Sequence, residues 1–181
     1  MKIDNPPSPP FRKGGMGGFK SYFLSNHLKS TEGGGRMYKK ILVPLDGSEL
    51  ATKALDHAEK LAKTFDSEII LFQVVSLMPI YGSPELVTPL IIDEKQKEAA
   101  ERYLVKLTED LKKRGLKVTA MVRTGQQVAV EIIDFAKESG VDLIVMCTHG
   151  RSGITRWVLG SVAHKVLTRA ETPILLIHLK R

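Results

Sequence analysis

The sequence predicts an α/β protein: a five-stranded, parallel, doubly wound sheet in the order 3-2-1-4-5, with helices on both faces. Three observations predict it. From Met37 onward, short apolar runs alternate with longer segments of helical periodicity. The apolar runs are nearly continuous, as strands covered on both faces are. A glycine-rich stretch, residues 147–161, follows the fourth apolar run and leads into a last helix. In a doubly wound sheet that junction lies at the crevice where the winding reverses and ligands bind.

The first strand is expected over residues 40–45, an apolar Ile-Leu-Val-Pro-Leu after a lysine. A helix over 48–65 follows, with Ala51, Ala54, Leu55, Ala58, Leu61, Ala62 and Phe65 at helical spacing. Ser48 is its expected N-cap, because a hydroxyl there can accept from a first-turn amide. Residues 68–75, rich in Ile, Leu and Val, form the second strand. The segment 76–92, with Pro79, Gly82, Pro84 and Pro89, is expected to be a long loop, either a lid or a variable insertion. The second helix, 94–114, carries Ala100, Tyr103, Leu104, Leu107 and Leu111 on one face and stops at Gly115. A third strand, 117–122, precedes a helix over 127–138 that turns Val128, Ile132, Ile133 and Ala136 inward. Residues 141–147, 160–170 and 173–178 complete the pattern as strand, helix and strand. Right-handed crossovers then restrict the topology to the doubly wound order.

Residues 1–36 are of another kind. They hold Pro6-Pro7-Ser8-Pro9-Pro10, two glycine clusters and no periodicity, so they cannot bury enough apolar surface to offset their ordering entropy. The expectation is a disordered extension over 1–36 and one domain over 37–181. Either the extension is a tethering tail or translation begins at Met37.

Composition narrows the function classes. An apolar fraction of 43% supports a core, and no apolar run reaches the length that spans a bilayer. The single cysteine, Cys147, excludes an intrachain disulfide and a multi-cysteine metal site. No secretory h-region is visible, and a cytoplasmic protein is expected. The net charge of +7 splits into +4 on residues 1–36 and +3 on the rest, with signs interspersed. Nucleic acid is therefore not the expected partner.

The chemistry concentrates at the expected crevice. Asp46 ends a buried strand, where its carboxylate either helps to start the helix, or accepts from a ribose or a base, or reaches a divalent cation beside phosphates. Gly160-Ser161 opens the last helix, where phosphate can approach backbone N–H groups, with the Ser161 hydroxyl as a further donor. Gly150 lets the chain turn off the fourth strand, and Arg151 and Ser152 add charge and a hydrogen bond. The stretch is neither a nucleoside-triphosphatase P-loop nor a dinucleotide fingerprint, since the required lysine and glycine spacings are absent. His149 either orders the loop or serves as a base. No metal-ligand cluster, triad or paired carboxylates are apparent, so no catalytic residues are assigned.

Residues 38–178 resemble a universal stress protein domain. The resemblance is carried by Tyr38-Lys-Lys-Ile-Leu-Val-Pro-Leu-Asp-Gly-Ser48, by Asp142-Leu-Ile-Val-Met-Cys-Thr-His-Gly-Arg-Ser-Gly153, by Leu159-Gly-Ser-Val-Ala163 and by Thr172-Pro-Ile-Leu-Leu-Ile177. The nucleotide-binding branch of that family carries Gly, two residues, Gly, nine residues, Gly and then Ser or Thr. Gly150, Gly160 and Ser161 match this pattern, and Cys147 stands at its first glycine. The resemblance implies an ATP site, with Mg²⁺. By position, Pro44, Asp46 and Val74 would flank adenine and ribose. Met146, Thr148, His149 and Gly150 would lie beside sugar and phosphates. Arg151, Ser152, Gly153, Gly160, Ser161 and Val162 would hold the triphosphate. It also implies a homodimer formed through the last strand, Ile174, Leu175, Leu176 and Ile177. The implied role is a nucleotide-dependent stress-response module with at most slow hydrolysis or autophosphorylation. The alternative is a dimeric scaffold of the same fold that binds no nucleotide.

Overall fold

The computed structural model describes residues 37–79, 90–91, 93–148 and 159–178, with the backbone alone at 78–79 and 90–91. The segment 1–36 and the middle of the 76–92 loop lie outside the described residues.

Five parallel strands form the main sheet: β1 (Lys40–Leu45), β2 (Glu68–Ser76), β5 (Lys117–Gly125), β6 (Leu143–Cys147) and β7 (Ile174–Ile177). Their order is β5-β2-β1-β6-β7, which is 3-2-1-4-5 among these five. The helices are α1 (Glu49–Phe65), α2 (Glu94–Lys113), α3 (Val128–Glu138) and α4 (Ser161–Arg169). The sheet alternates its side chains between two cores. Ile41, Val43, Ile69, Leu71 and Val145 pack with Ala54 and Ala58 of α1 and Leu104 and Leu111 of α2. Leu42, Ile70, Phe72 and Ile144 pack with Ile132 and Phe135 of α3 and Val166 of α4. The alanine stripe of α1 lets that helix lie close to the sheet. Asp66, in the left-handed region at φ 54°, ends it, and its amide donates to Ala62 O.

Several boundaries differ from the sequence expectations. The long loop is not structureless at its base: β3 (Met78–Pro79) and β4 (Leu90–Ile91) pair antiparallel there. Backbone groups leaving a parallel sheet still need partners, and the two ends of the excursion supply them to each other. The third sheet strand runs to Gly125 rather than residue 122, because β2 offers it a partner at every position from Glu68↔Lys117 to Ser76↔Gly125. β6 begins at Leu143, two residues later than expected. Before it, Asp142 N donates to Lys40 O at 3.0 Å and Lys40 N donates to Asp142 Oδ2 at 2.9 Å. On α3, Phe135 and Ala129 are buried, whereas Ile133 is half-buried.

Side-chain ties hold the helices in place. Glu59 of α1 meets Lys63 Nζ at 2.8 Å and Arg114, just past α2, at 3.1 Å. The Lys63 hydrogen bond, with the two positive charges, holds its carboxyl below the ordinary range. On the other face Arg123 of β5 pairs with Glu138 and lies 5.0 Å above the Phe135 ring. Glu131 sits over Gly125, where a Cβ would come within 2.2 Å of its Oε1 and 2.5 Å of its Cγ. Gly125→Ala is therefore expected to destabilise the fold by roughly 1–2 kcal/mol. Removing Glu131 as well should relieve part of that loss in a double-mutant cycle of urea unfolding. Strict additivity of the two changes would contradict this contact.

Candidate functional site

Because the strands are parallel, β1 and β6 end side by side, and the turns after them meet. After β1 the chain reads Asp46-Gly47-Ser48. Gly47 has φ 84°, a conformation that L side chains rarely adopt, so glycine is required at that turn. Asp46 Oδ1 accepts from Ser48 N at 2.9 Å and from Ser48 Oγ at 2.6 Å. Ser48 Oγ in turn accepts from Ala51 N at 3.2 Å. Ser48 is thus the N-cap, and Asp46 is fixed by the residue that caps the helix. Its half-buried carboxylate remains part of the crevice wall.

After β6, Thr148 N donates to Ile177 O at 3.1 Å, and Gly160 N donates to Thr148 O at 2.8 Å. The second bond joins the two ends of the glycine-rich segment and sets the start of α4 against the end of β6. Gly160 is the N-cap of α4 and has no side chain with which to cap it. The amides of Ser161, Val162 and Ala163 have no intrahelical acceptor. α1 and α2, by contrast, are capped by Ser48 and Asp93 side chains. The start of α4 therefore offers N–H donors and the positive end of a helix dipole to an anion.

A cleft of about 320 Å³ lies between these turns. It brings together Pro44 and Asp46 from the end of β1, Met146 and Thr148 from the end of β6, and Gly160, Ser161 and Val162 from α4. Val74, at the end of β2, lines an adjoining cavity of about 540 Å³ that shares Asp46 and Val162 with the cleft. His149, Gly150, Arg151, Ser152 and Gly153 lie outside the described residues. The sequence reading missed Ala51, Val128 and Ile132 as wall residues. Val128 carries a signal: it is the first apolar residue of a helix that starts at the ligand-bearing edge of the sheet.

Cys147 is the last residue of β6. It has no positive φ, so it needs no glycine-like backbone there. Its thiol is buried, lies 3.0 Å from Leu50 O, and is pushed up from its ordinary pKa by burial, with Asp46 adding to the rise. A protonated, packed thiol is a wall of the cleft and a poor nucleophile. Among the described residues no group of His, Cys, Asp or Glu could hold a metal ion by itself. No helix there is long and apolar enough to cross a membrane.

This architecture matches known proteins. The model of the universal stress protein family matches residues 37–178. The chain belongs to that family. It is 36% identical over 158 residues to the universal stress protein MJ0531 of Methanocaldococcus jannaschii, covering 87% of this chain and 91% of the relative. It is 36% identical to the universal stress protein YxiE of Bacillus subtilis, covering 78% of this chain and 99% of that one. Among solved structures, the protein MJ0577 superposes with a TM-score of 0.66 at 30% identity, over 80% of this chain and 99% of that one. The universal stress protein of Archaeoglobus fulgidus, solved in complex with dAMP, superposes with a TM-score of 0.56 at 22% identity. It covers 77% of this chain and 98% of its own, and it bears on the fold alone.

Proposed function

We propose that this universal stress protein binds ATP, with Mg²⁺, in the cleft between β1, β6 and α4, and works as a nucleotide-dependent stress-response module in the cytoplasm. The observation that carries the reading is the glycine-capped start of α4, whose first-turn amides open onto a cleft walled by the Asp46 carboxylate. Phosphates belong at Gly160, Ser161 and Val162, where the dipole and the N–H donors are. Arg151, Ser152 and Gly153 belong to the same group by the motif they share. Ribose and base belong toward Pro44, Asp46 and Val74, with Met146, Thr148, His149 and Gly150 beside the sugar. Asp46 suits ribose hydroxyls, or a divalent cation beside the phosphates. Any turnover is slow hydrolysis or autophosphorylation. Calorimetric titration of the full chain with MgATP should give micromolar affinity. Absence of heat up to millimolar ATP would sink the reading and favour the scaffold.

The same proposal includes a homodimer paired through β7. This strand is at the sheet edge, and Ile174, Leu175 and Leu176 are only half-buried in a single chain. An unpaired apolar edge favours strand addition from a second copy. Backbone groups of β7 alternate in direction: Pro173 O and Ile177 O accept from Ile144 N and Thr148 N of the β6 side, so the Leu176 amide faces the open edge. Light scattering should give twice the chain mass, and Leu176→Pro, which removes that edge donor, should give a monomer. A monomeric wild type would remove the dimer from the proposal.

A further inference from the structure

In a parallel sheet each crossover helix runs back against the strands, so the ends of α1 and α2 and the starts of β1 and β5 lie at the edge opposite the cleft. Basic residues collect there. Lys63 lies in the last turn of α1, Lys112 and Lys113 in the last turn of α2, and Arg114 follows them. Lys39 precedes β1, and Lys117 opens β5. Contacts join them into one corner. Lys63, Asp66 and Lys117 line one depression, and Arg114 reaches back to Glu59 at 3.1 Å. Lys39 O accepts from Glu68 N at 2.8 Å. These six cations face four carboxylates, Glu59, Asp66, Glu68 and Asp110. Lys39, Lys112 and Lys113 are exposed and carry no ion pair among the described residues.

A base in the last turn complements the dipole of its own helix, which accounts for such residues singly. It does not account for what is attached at the same corner. Tyr38 packs edge-on against Phe65 of α1 with ring centroids 5.6 Å apart, so residues 1–36 join the domain here. That segment has a net charge of +4 and contains the run Phe19-Lys20-Ser21-Tyr22-Phe23-Leu24. We propose that this corner, with the segment that enters it, docks on an anionic membrane surface. Neither part suffices alone: one cation near an anionic bilayer contributes only about fivefold in partition, and stable attachment takes a basic patch together with an apolar anchor. The corner supplies the patch. The aromatic run supplies the anchor, because such side chains settle at the headgroup level. Nucleic acid is the weaker match, since carboxylates stand among the cations and Leu24 gains from hydrocarbon but not from base stacking. The cleft lies at the other edge of the sheet, so a docked molecule keeps it open, and the proposal does not depend on the nucleotide reading.

Flotation of the full chain with vesicles of phosphatidylcholine, alone or with about one-third phosphatidylserine, tests this. The chain should bind the anionic vesicles only, and raising salt from about 0.1 M to about 0.5 M should weaken binding at least about tenfold. In the full chain, Lys112→Gln with Lys113→Gln should weaken it about tenfold or more at an unchanged unfolding temperature, because neither lysine has an ion pair to lose. Phe23→Ser with Leu24→Ser should also weaken it about tenfold or more, with the salt dependence of the wild type. No binding to anionic vesicles, or equal binding to both compositions, overturns the proposal. Unchanged affinity in either double variant overturns the two-part surface. Tighter binding to a single-stranded oligonucleotide than to anionic vesicles at the same salt overturns the membrane assignment in favour of nucleic acid.

Discussion

Gly160→Val is expected to weaken ATP binding by at least about a hundredfold while the unfolding temperature falls by only a few degrees. Gly160 has φ −57° and ψ 148°, a conformation open to any L residue, so the substitution strains no backbone. Its effect is steric and local. Gly160 lines the cleft immediately before the amides of Ser161, Val162 and Ala163. A phosphate that reaches those amides gains several charge-assisted hydrogen bonds together with the dipole. An isopropyl group on Gly160 adds bulk at the point where the phosphate must enter. Gly160→Ala adds one methyl group and should fall between the two. Calorimetry reads the affinity, and a thermal scan shows that the fold persists. ATP bound by the folded valine variant within about threefold of wild type would remove the phosphates from the start of α4.

Phe72→Ala is expected to cost about 3–5 kcal/mol of stability, which for a domain of this size lowers the unfolding temperature by roughly 10–15 °C. Phe72 is fully buried near the middle of β2. Its ring stacks on Phe135 of α3 with centroids 4.5 Å apart and an interplanar angle of 19°. Arg123 lies over the other aromatic of that pair. Truncation at Phe72 therefore opens a cavity under α3 and removes the surface against which Phe135 and the Arg123–Glu138 pair are held. Phe72→Leu retains most of the volume and should cost well under half as much. Urea unfolding of both variants measures the difference, and a loss below about 1.5 kcal/mol for alanine would contradict the packing described.

The fold was legible in the chain because its signals are local and repeated. Each strand is an apolar run, each helix carries a 3.6-residue stripe, and crossover handedness leaves few topologies for such an alternation. The crevice was legible for the same reason: its first turn, Asp46-Gly47-Ser48, directly follows β1, and Gly160-Ser161 opens the helix after β6. Ser48 as the cap could also be read from residue type and position alone. The family resemblance supplied what spacing could not, an expected ligand and the residues around it.

Tertiary structure decided the rest. Periodicity reports which residues leave water, not which surface they meet. Ile133 and Phe135 both border the apolar stripe of α3, and only the Phe72 ring across from them selects Phe135 for full burial. β5 runs past its apolar portion because β2 offers partners as far as Ser76. Asp46 reads as a cap or a ligand from sequence, and the folded turn makes it the acceptor that fixes the capping serine. Tyr103 reads as one more core residue of α2, and Gln73 as an unremarked polar position in β2. Their shared cavity exists only once α2 lies across the end of the sheet. Helix and strand formation follow from neighbours along the chain, whereas a site is made by residues that only packing brings together.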